Sequence, residues 1–279
     1  MGGNLPGRRN VVPRLRELWA YRDIIGFLAL RDIKVRYKQT FIGVTWVLLQ
    51  PLATMLVFTI FFGKVAKIPT GDIPYGIWSF TGLVFWFFFA AMLGNGGNSL
   101  LTNQNLIKKI YFPRLVVPLA TLVTSGVDLC VMLGALAALA VYYGVIPSLD
   151  VIYAPLFLML LLSWVLGLSF WLSALNTKYR DVRFLMPFVI QLLMFSSPVV
   201  YPYSLIPQSV IWRGWILPAR DLYGLNPMVS VLEGMRWSLL GGPPVPMFAL
   251  VGGSIVALLA FIGGTHYFFK LEKSFSDIL

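Results

Sequence analysis

Long apolar runs separated by short polar segments dominate the chain. A membrane-spanning helix needs about 20 mainly apolar residues, because the hydrocarbon core of a bilayer is about 30 Å thick. Six runs approach or exceed that length, at residues 43–62, 75–93, 115–143, 151–175, 185–200 and 246–269, and the fifth is short for a full span. The pattern predicts an all-α polytopic membrane protein with six transmembrane helices in a single transmembrane domain, residues 1–279.

Composition supports the same class and indicates which kind of molecule the basic residues contact. Of the 279 residues, 58% are hydrophobic and only 12% are charged, too few to cover a soluble domain of this size. The net charge of +11 is unevenly placed, since 17 of the 22 Lys and Arg residues lie in 1–42, 95–114, 176–184 and 270–279. These are alternate connecting segments, so the positive-inside rule places them and both termini in the cytoplasm. The distribution indicates contact with membrane lipids and not with nucleic acid.

Three connecting regions carry further structure. Within the cytoplasmic or interfacial segment 1–42, residues 14–40 mix bases with apolar residues, which predicts an amphipathic helix lying in the membrane interface. Within the core at 43–269, residues 95–114 predict a short polar helix on the cytoplasmic side, closed by Pro113. Residues 196–245 are proline-rich and still apolar, which predicts re-entrant outer helices between spans five and six. Residues 270–279 are expected to form a cytoplasmic tail.

Four stretches carry a resemblance to a known family. They are RDIKVRYKQTFIGVTWVLLQPL at 31–52, NQNLIKKIYFPRLVVPLA at 103–120, KYRDVRFLMPFVIQLLMFSSPVVYP at 178–202, and LNPM at 225–228. In this order they resemble ABC-2-type permeases that export bacterial surface polysaccharides. The resemblance implies a homodimer in the bacterial inner membrane, paired with two ABC ATP-binding subunits. Its implied substrate is an undecaprenyl-linked polysaccharide of O-antigen type, moved from the cytoplasmic to the outer side, with teichoic acid and capsule as alternatives.

The chain is expected to perform no covalent chemistry and to hold no cofactor. It has no phosphate-binding loop, because Gly63-Lys64 lacks the upstream glycine and the following Ser or Thr of that motif. ATP and Mg are therefore expected on the partner subunit.

The basic approach to span one is the first candidate site. Its four cations could attract the pyrophosphate of the lipid carrier at a lateral gate, or could simply anchor the helix to headgroups. They are Arg31, Lys34, Arg36 and Lys38.

The cytoplasmic loop helix is the second candidate, for coupling to the ATP-binding subunit or as a plain connector. Its candidate residues are Asn103, Asn105, Ile107, Lys108, Ile110 and Tyr111. Four apolar side chains, Ile107, Ile110, Tyr111 and Phe112, are expected to be exposed and to need a protein surface that covers them.

Aromatic residues near the ends of the predicted pore are the third candidate, because aromatic faces stack on sugars. They are Tyr37, Phe41, Trp46, Tyr201 and Tyr203.

Two polar features inside apolar segments are given structural interpretations. Asp128, in span three, is expected to hydrogen-bond with Thr124 or Ser125 on its own helix and not to relay protons. Glu233 and Arg236, three residues apart, are expected to form a local ion pair that pins a re-entrant helix.

Three other classes remain as alternatives. An ion-coupled secondary transporter predicts an inverted repeat and several buried ionisable groups, of which the sequence offers one. A membrane enzyme predicts clustered acids for Mg²⁺ in a loop, whereas the outer region offers only Asp221 and Glu233, which lie far apart in the sequence. An ABC-2 permease for drugs or small lipids is distinguished from a polysaccharide exporter only by the polysaccharide-type motifs quoted above.

Overall fold

The computed structural model describes residues 18–38, 43, 45–179, 181–213 and 215–272, and the structural account concerns these alone. The described part is mainly helical, with one two-stranded hairpin. This confirms the predicted all-α polytopic class.

The helices and strands follow one another in this order: α1 Arg22–Lys38; α2 Thr45–Phe58, continued by a π-helix Thr59–Val65; α3 Tyr75–Ala91, continued by a π-helix Met92–Gly96; α4 Gly97–Thr102; α5 Gln104–Lys109; α6 Val116–Tyr142; a 3₁₀ turn Leu149–Tyr153 leading into α7 Ala154–Lys178; α8 Asp181–Phe195; a 3₁₀ turn Tyr203–Leu205; β1 Val210–Trp212; β2 Trp215–Leu217; α9 Ala219–Gly224; α10 Pro227–Leu240; α11 Met247–Leu271. The strands pair antiparallel, with Ile211 opposite Ile216.

Five helical segments are long and apolar enough to cross a membrane. They are Thr45–Val65, Tyr75–Lys109, Val116–Tyr142, Leu149–Lys178 and Met247–Leu271. The fifth predicted span, 185–200, corresponds to the 15-residue α8 followed by turns at 196–200. At 1.5 Å per residue such a helix covers about 22 Å, short of the hydrocarbon thickness. The predicted count of six spans is therefore not confirmed and stays a prediction.

Helix α3 lies at the centre of the bundle. In the segment Tyr75–Lys109, which begins with α3, 83% of an apolar 18-residue stretch is buried, against 11–28% in the other four candidate spans. Helix α3 packs against α2, α6 and α10, and its aromatic residues Trp86, Phe88 and Phe89 are almost fully buried. The remaining spans leave wide apolar faces uncovered, which suits contact with lipid.

The connections between the helices lie at two ends of the bundle, which we call the basic end and the proline-rich end after their composition. The basic end carries residues 97–115 and the last turns of α7 and α11. The proline-rich end carries residues 66–74, 143–153, 196–226 and 241–246. The positive-inside rule would make the basic end cytoplasmic.

Helices α7 and α11 form the closest crossing. A Cβ at Gly167 would meet the backbone of Ala260 at 2.6 Å, and one at Gly264 would meet the carbonyl oxygen of Gly167 at 2.1 Å. Small residues thus let the two backbones touch, as is common between membrane helices. By contrast, nothing lies within 4 Å of a Cβ built at Gly134 of α6.

The Asn95-Gly96-Gly97-Asn98 run, where the predicted short polar helix begins, joins directly onto the helix before it. The helix continues through it as a π-turn and then as α4. The glycines allow close packing: a Cβ at Gly97 would meet Met186 Sδ at 2.7 Å. The polar groups are satisfied by α7, because Ser169 Oγ donates to the Met92 carbonyl and Asn176 Nδ2 donates to the Gly97 carbonyl. A π-turn frees carbonyls in this way, and here neighbouring side chains take them up.

Candidate functional site

A second hydrophobic cluster joins the N-terminal helix to the basic end. Leu28 of α1 is 1% exposed and packs among residues from α4, α5, α6, α7 and α11. The cluster also contains Leu100, Ile107, Phe112, Leu115, Val116, Val117, Ala120, Phe170, Ala174 and Phe268. Other apolar residues of α1, including Phe27, Leu30 and Val35, stay exposed. One side of α1 is thus held by protein, and the other is free to face headgroups and acyl chains.

Arg31 links α1 to the start of the loop helix α5. Its guanidinium donates to Asp32 Oδ1 at 2.6 Å and to Asn103 Oδ1 at 2.7 Å. Asn103 is buried and its amide donates in turn to the Ser99 carbonyl at 3.0 Å. Arg31 therefore joins two candidate sites that the sequence treated separately.

Arg36 and Tyr37 join the last turn of α1 to the middle of α6. The Arg36 guanidinium and the Tyr37 hydroxyl both donate to the Asp128 carboxylate. Burial and the hydrogen bond to Asp128 together raise the pKa of Tyr37 to about 12, so the phenol remains a donor at physiological pH.

The expected partners of Asp128 on its own helix were wrong. Thr124 Oγ1 instead donates to the Ala120 carbonyl, and Ser125 Oγ is buried without a hydrogen-bond partner among the described residues. The true partners lie about 90 positions away in the sequence, on α1. Local spacing could not reveal them.

The four basic candidates therefore fall into two pairs. Arg31 and Arg36 already hold carboxylates within the chain. Lys34 and Lys38 are exposed, and neither ammonium has an ion-pair partner among the described residues. These two lysines are the cations left available to a lipid phosphate.

The loop helix exposes only part of the surface that the sequence suggested. Ile110 and Tyr111 are 51% and 77% exposed, as expected. Ile107 and Phe112 are 5% and 1% exposed, so the expectation that they are exposed was wrong. Both belong to the hydrophobic cluster that contains Leu28, together with residues of α6, α7 and α11.

A partner that docks on this helix would meet a mixed surface. Its accessible residues are Gln104, Asn105, Lys108, Lys109, Ile110 and Tyr111. Asn103 is buried, so its part in any coupling would run through Arg31 and not through direct contact. The last residues of the loop are held in place by the backbone N–H of Arg114, which donates to Glu272 Oε1 after α11.

At the proline-rich end, Arg236 connects three parts of the chain. Asn226 caps α10, Pro227 occupies its first turn, and Gly241 ends it at φ 72°. On this helix Arg236 is 1% exposed and stacks over Trp78 of α3 at 3.4 Å. Its guanidinium donates to the carbonyls of Trp78, Pro198 and Val199.

The predicted pair with Glu233 is present, at 3.1 Å. The other bonds of Arg236 reach well beyond its own helix, and the backbone N–H of Tyr203 also donates to Glu233 Oε1. The burial of nearly all of α10 supports a short helix shielded by protein, although its re-entrant placement in a bilayer stays a prediction.

The aromatic candidates lie at opposite ends of the bundle. Tyr37 lies near the end of α1, and the exposed Trp46 lies near the start of α2. Phe41, which lies between them in the sequence, falls outside the described residues. Tyr201 and Tyr203 stand at the proline-rich end, on either side of Tyr223, with ring centroids 6.4 and 6.1 Å from it. Burial raises the pKa of Tyr203 and the nearby Asp221 carboxylate raises it further, so its hydroxyl stays protonated and donates to the Arg220 carbonyl.

Sequence reasoning missed Trp78 and Tyr223. Their positions in the chain carried no pattern that separates them from the other aromatic residues. The structure alone shows that they stand beside the charged residues of this end.

Comparison with known proteins identifies the family. A family model for ABC-2 type transporters matches residues 25–240. The chain belongs to the ABC-2 type transporter family. The match includes most of α1, the loop helix and α10, and it ends before α11.

Curated relatives cover most of the chain. A protein named O-antigen export system permease protein RfbA, from Myxococcus xanthus, is 31% identical over 78% of this chain and 80% of its own length. A protein of the same name from Klebsiella pneumoniae is 28% identical over 79% of this chain and 81% of its own length. The polysialic acid transport protein KpsM of Escherichia coli is 24% identical over 77% of this chain and 80% of its own length.

Proposed function

We propose that this chain is the membrane subunit of an ATP-driven exporter that moves a lipid-linked polysaccharide of O-antigen type across the bacterial inner membrane. The observation that carries the proposal is the likeness over about four-fifths of the chain to permeases named for O-antigen export. The chain itself would supply the path and the contacts with lipid, and ATP hydrolysis would take place on a separate partner.

The basic end suits the intake side of such a path. Lys34 and Lys38 are exposed on the same helix as the exposed apolar residues Phe27, Leu30 and Val35, a mixture that is typical of a membrane-surface helix. A pyrophosphate carries several negative charges, and ammonium groups bind phosphate oxygens as strong charge-assisted donors. We propose that these two lysines attract the carrier's pyrophosphate while Arg31 and Arg36 hold the helix in place.

The exposed surface of α5 suits the docking of the ATP-binding subunit. Tyr111 and Ile110 form an apolar patch beside Lys108 and Lys109, and such a patch at a loop tip marks an interaction site. We propose a complex of two copies of this chain with two ATP-binding subunits, in which ATP and Mg²⁺ are bound by the partners.

A second candidate substrate is a capsule-type polysaccharide. It is supported by the similarity to the polysialic acid transport protein, at lower identity than the O-antigen permeases. The two candidates share the mechanism and differ in the glycan.

Disruption of the gene in its own host tests the proposal. We expect the loss of O-antigen-type polysaccharide from the cell surface and its accumulation inside, attached to the lipid carrier. Complementation should require an intact ATP-binding partner. Loss of capsule with normal O-antigen would favour the second candidate, and unchanged amounts of both on the surface would contradict the proposal.

A further inference from the structure

The proline-rich end contains a cavity of about 410 Å³. Three separate connecting segments form its walls: the loop after α2, the region from Pro202 to Asp221, and the loop between α10 and α11. Trp78, Glu233 and Arg236 line it from the helices below. Its volume falls in the range of roughly 300–1,000 Å³ that is typical of small-molecule sites.

The charged groups around the cavity balance. Two cations, Arg220 and Arg236, face two anions, Asp221 and Glu233. A cavity that selects an anion or a cation would carry an excess of the opposite sign. Balanced charge instead favours a neutral ligand with many hydrogen-bonding groups.

The arginines are already engaged within the chain. Arg236 donates to three backbone carbonyls and to Glu233. Arg220 donates to the carbonyls of Ile206 at 2.7 Å and Ser204 at 3.0 Å. Phosphate binding would have to break these bonds and face two carboxylates, so a pyrophosphate headgroup is disfavoured.

The carboxylates, by contrast, keep acceptor capacity. Glu233 is 8% exposed and lines the cavity, and Oε1 alone takes the bonds from Tyr203 and Arg236. Its Oε2 accepts no hydrogen bond from any described residue. Asp221 is exposed at the rim. A carboxylate oxygen that lines a cavity and has no partner within the chain can accept a hydrogen bond from a ligand.

The remaining wall is apolar and rigid. Prolines from all three segments and the ring of Phe248 form it. Sugars have the matching chemistry, because their hydroxyls donate to carboxylates and their C–H faces pack on flat apolar surfaces. Rigid walls also limit the entropy lost on binding.

We infer that this cavity binds sugar units of the exported glycan, as neutral polyhydroxylated ligands, where the glycan leaves the bundle. The inference rests on the proposed function, and it adds a binding site at the end opposite to the basic intake side. Weak, repeated binding here would hold the growing outer part of the glycan and oppose its return.

Binding to the purified permease–ATPase complex tests the inference. The probe is the oligosaccharide released by mild acid from the host's own surface polysaccharide, and calorimetry measures its Kd. Asp221→Asn and Phe248→Ala should each weaken binding roughly tenfold, as the loss of one charge-assisted hydrogen bond or one wall contact predicts. Asp150→Asn is the matched control, because Asp150 lies at the same end and does not line the cavity; its Kd should equal that of the wild type.

Competition separates the sources of binding. Inorganic pyrophosphate should not displace the oligosaccharide, and displacement would overturn the assignment of a neutral-sugar site. Absence of saturable binding, or unchanged Kd in both variants, would overturn the inference. ATP-driven export is measured with the same preparation: export without binding defeats this site alone, whereas the absence of both defeats the proposed function.

Discussion

The attachment of α1 to α6 through Asp128 gives a quantitative prediction. The Asp128 side chain is 12% exposed and that of Arg36 is 35% exposed. Asp128→Asn keeps the shape and an acceptor for Tyr37 but removes the charge that binds Arg36. A hydrogen bond to a charged group contributes about 1.5–3 kcal/mol, and the loss belongs at the lower end because Arg36 can turn to solvent. A loss of about 2 kcal/mol shifts the balance between attached and detached α1 by roughly thirtyfold.

Spin labelling measures this balance directly. Val35 is 71% exposed on the last turns of α1, so a nitroxide at that position should not disturb the packing. The exposed Cys130 is first replaced by serine, which leaves the engineered cysteine as the single label site. Asp128→Asn should increase the mobility of the label, whereas the packing around Leu28 keeps the first half of α1 in place.

Two comparisons control for a general loss of structure. Asp23→Asn makes the same chemical change on α1, at a side chain that is 89% exposed, and should leave the label unchanged. Arg36→Asp combined with Asp128→Arg should recover part of the immobility that each single change loses. Equal mobility in the wild type and Asp128→Asn would refute the reasoning.

Three further predictions concern the two candidate sites and the helix packing. Tyr111→Asp should lower export severalfold with normal membrane insertion, because it places a charge on the exposed docking surface. Tyr142 is about as exposed at the other end of the bundle, so Tyr142→Asp should have little effect on export. Equal export by the two variants would count against coupling at α5. Lys34→Glu should reduce glycan export more than Lys64→Glu, since of these two lysines only Lys34 lies near the basic end. Equal rates of export by the two variants would mean that Lys34 only anchors the helix to the membrane. Gly167→Ala should lower the free energy of unfolding by about 1–3 kcal/mol, because the added methyl group overpacks against α11. The measurement is the unfolding temperature of the purified protein, which Gly134→Ala should leave unchanged. An unchanged unfolding temperature for Gly167→Ala would contradict the close crossing.

The spans could be predicted from the sequence because their cause is local. Apolar length and composition suffice to mark segments that lipid must surround, and five segments of the described chain meet that requirement. The fifth predicted span was uncertain because its length is the property on which the prediction depends. Its apolar run is short, and the turns at 196–200 end the helix where Asn226 bonds the Ser196 carbonyl and Ser197 Oγ.

The contacts between distant segments could not be predicted. A Gly-Gly pair flanked by asparagines is typical of a turn, and here it is helical because Ser169 and Asn176 of α7 satisfy its polar groups. Ile107 looked exposed because the sequence gives no sign that α5 packs into the cluster formed with α1, α6, α7 and α11. In both cases tertiary packing overrides the local signal.

The central claim is that this chain moves a lipid-linked polysaccharide at the expense of ATP that a partner hydrolyses. The most direct measurement uses proteoliposomes that contain the chain and its ATP-binding subunit, loaded on one side with the undecaprenyl-linked glycan. The account predicts that glycan becomes accessible to a glycosidase on the opposite side only when ATP and Mg²⁺ are present and both subunits are intact. Transfer without the partner, or ATP hydrolysis by this chain alone, would contradict it.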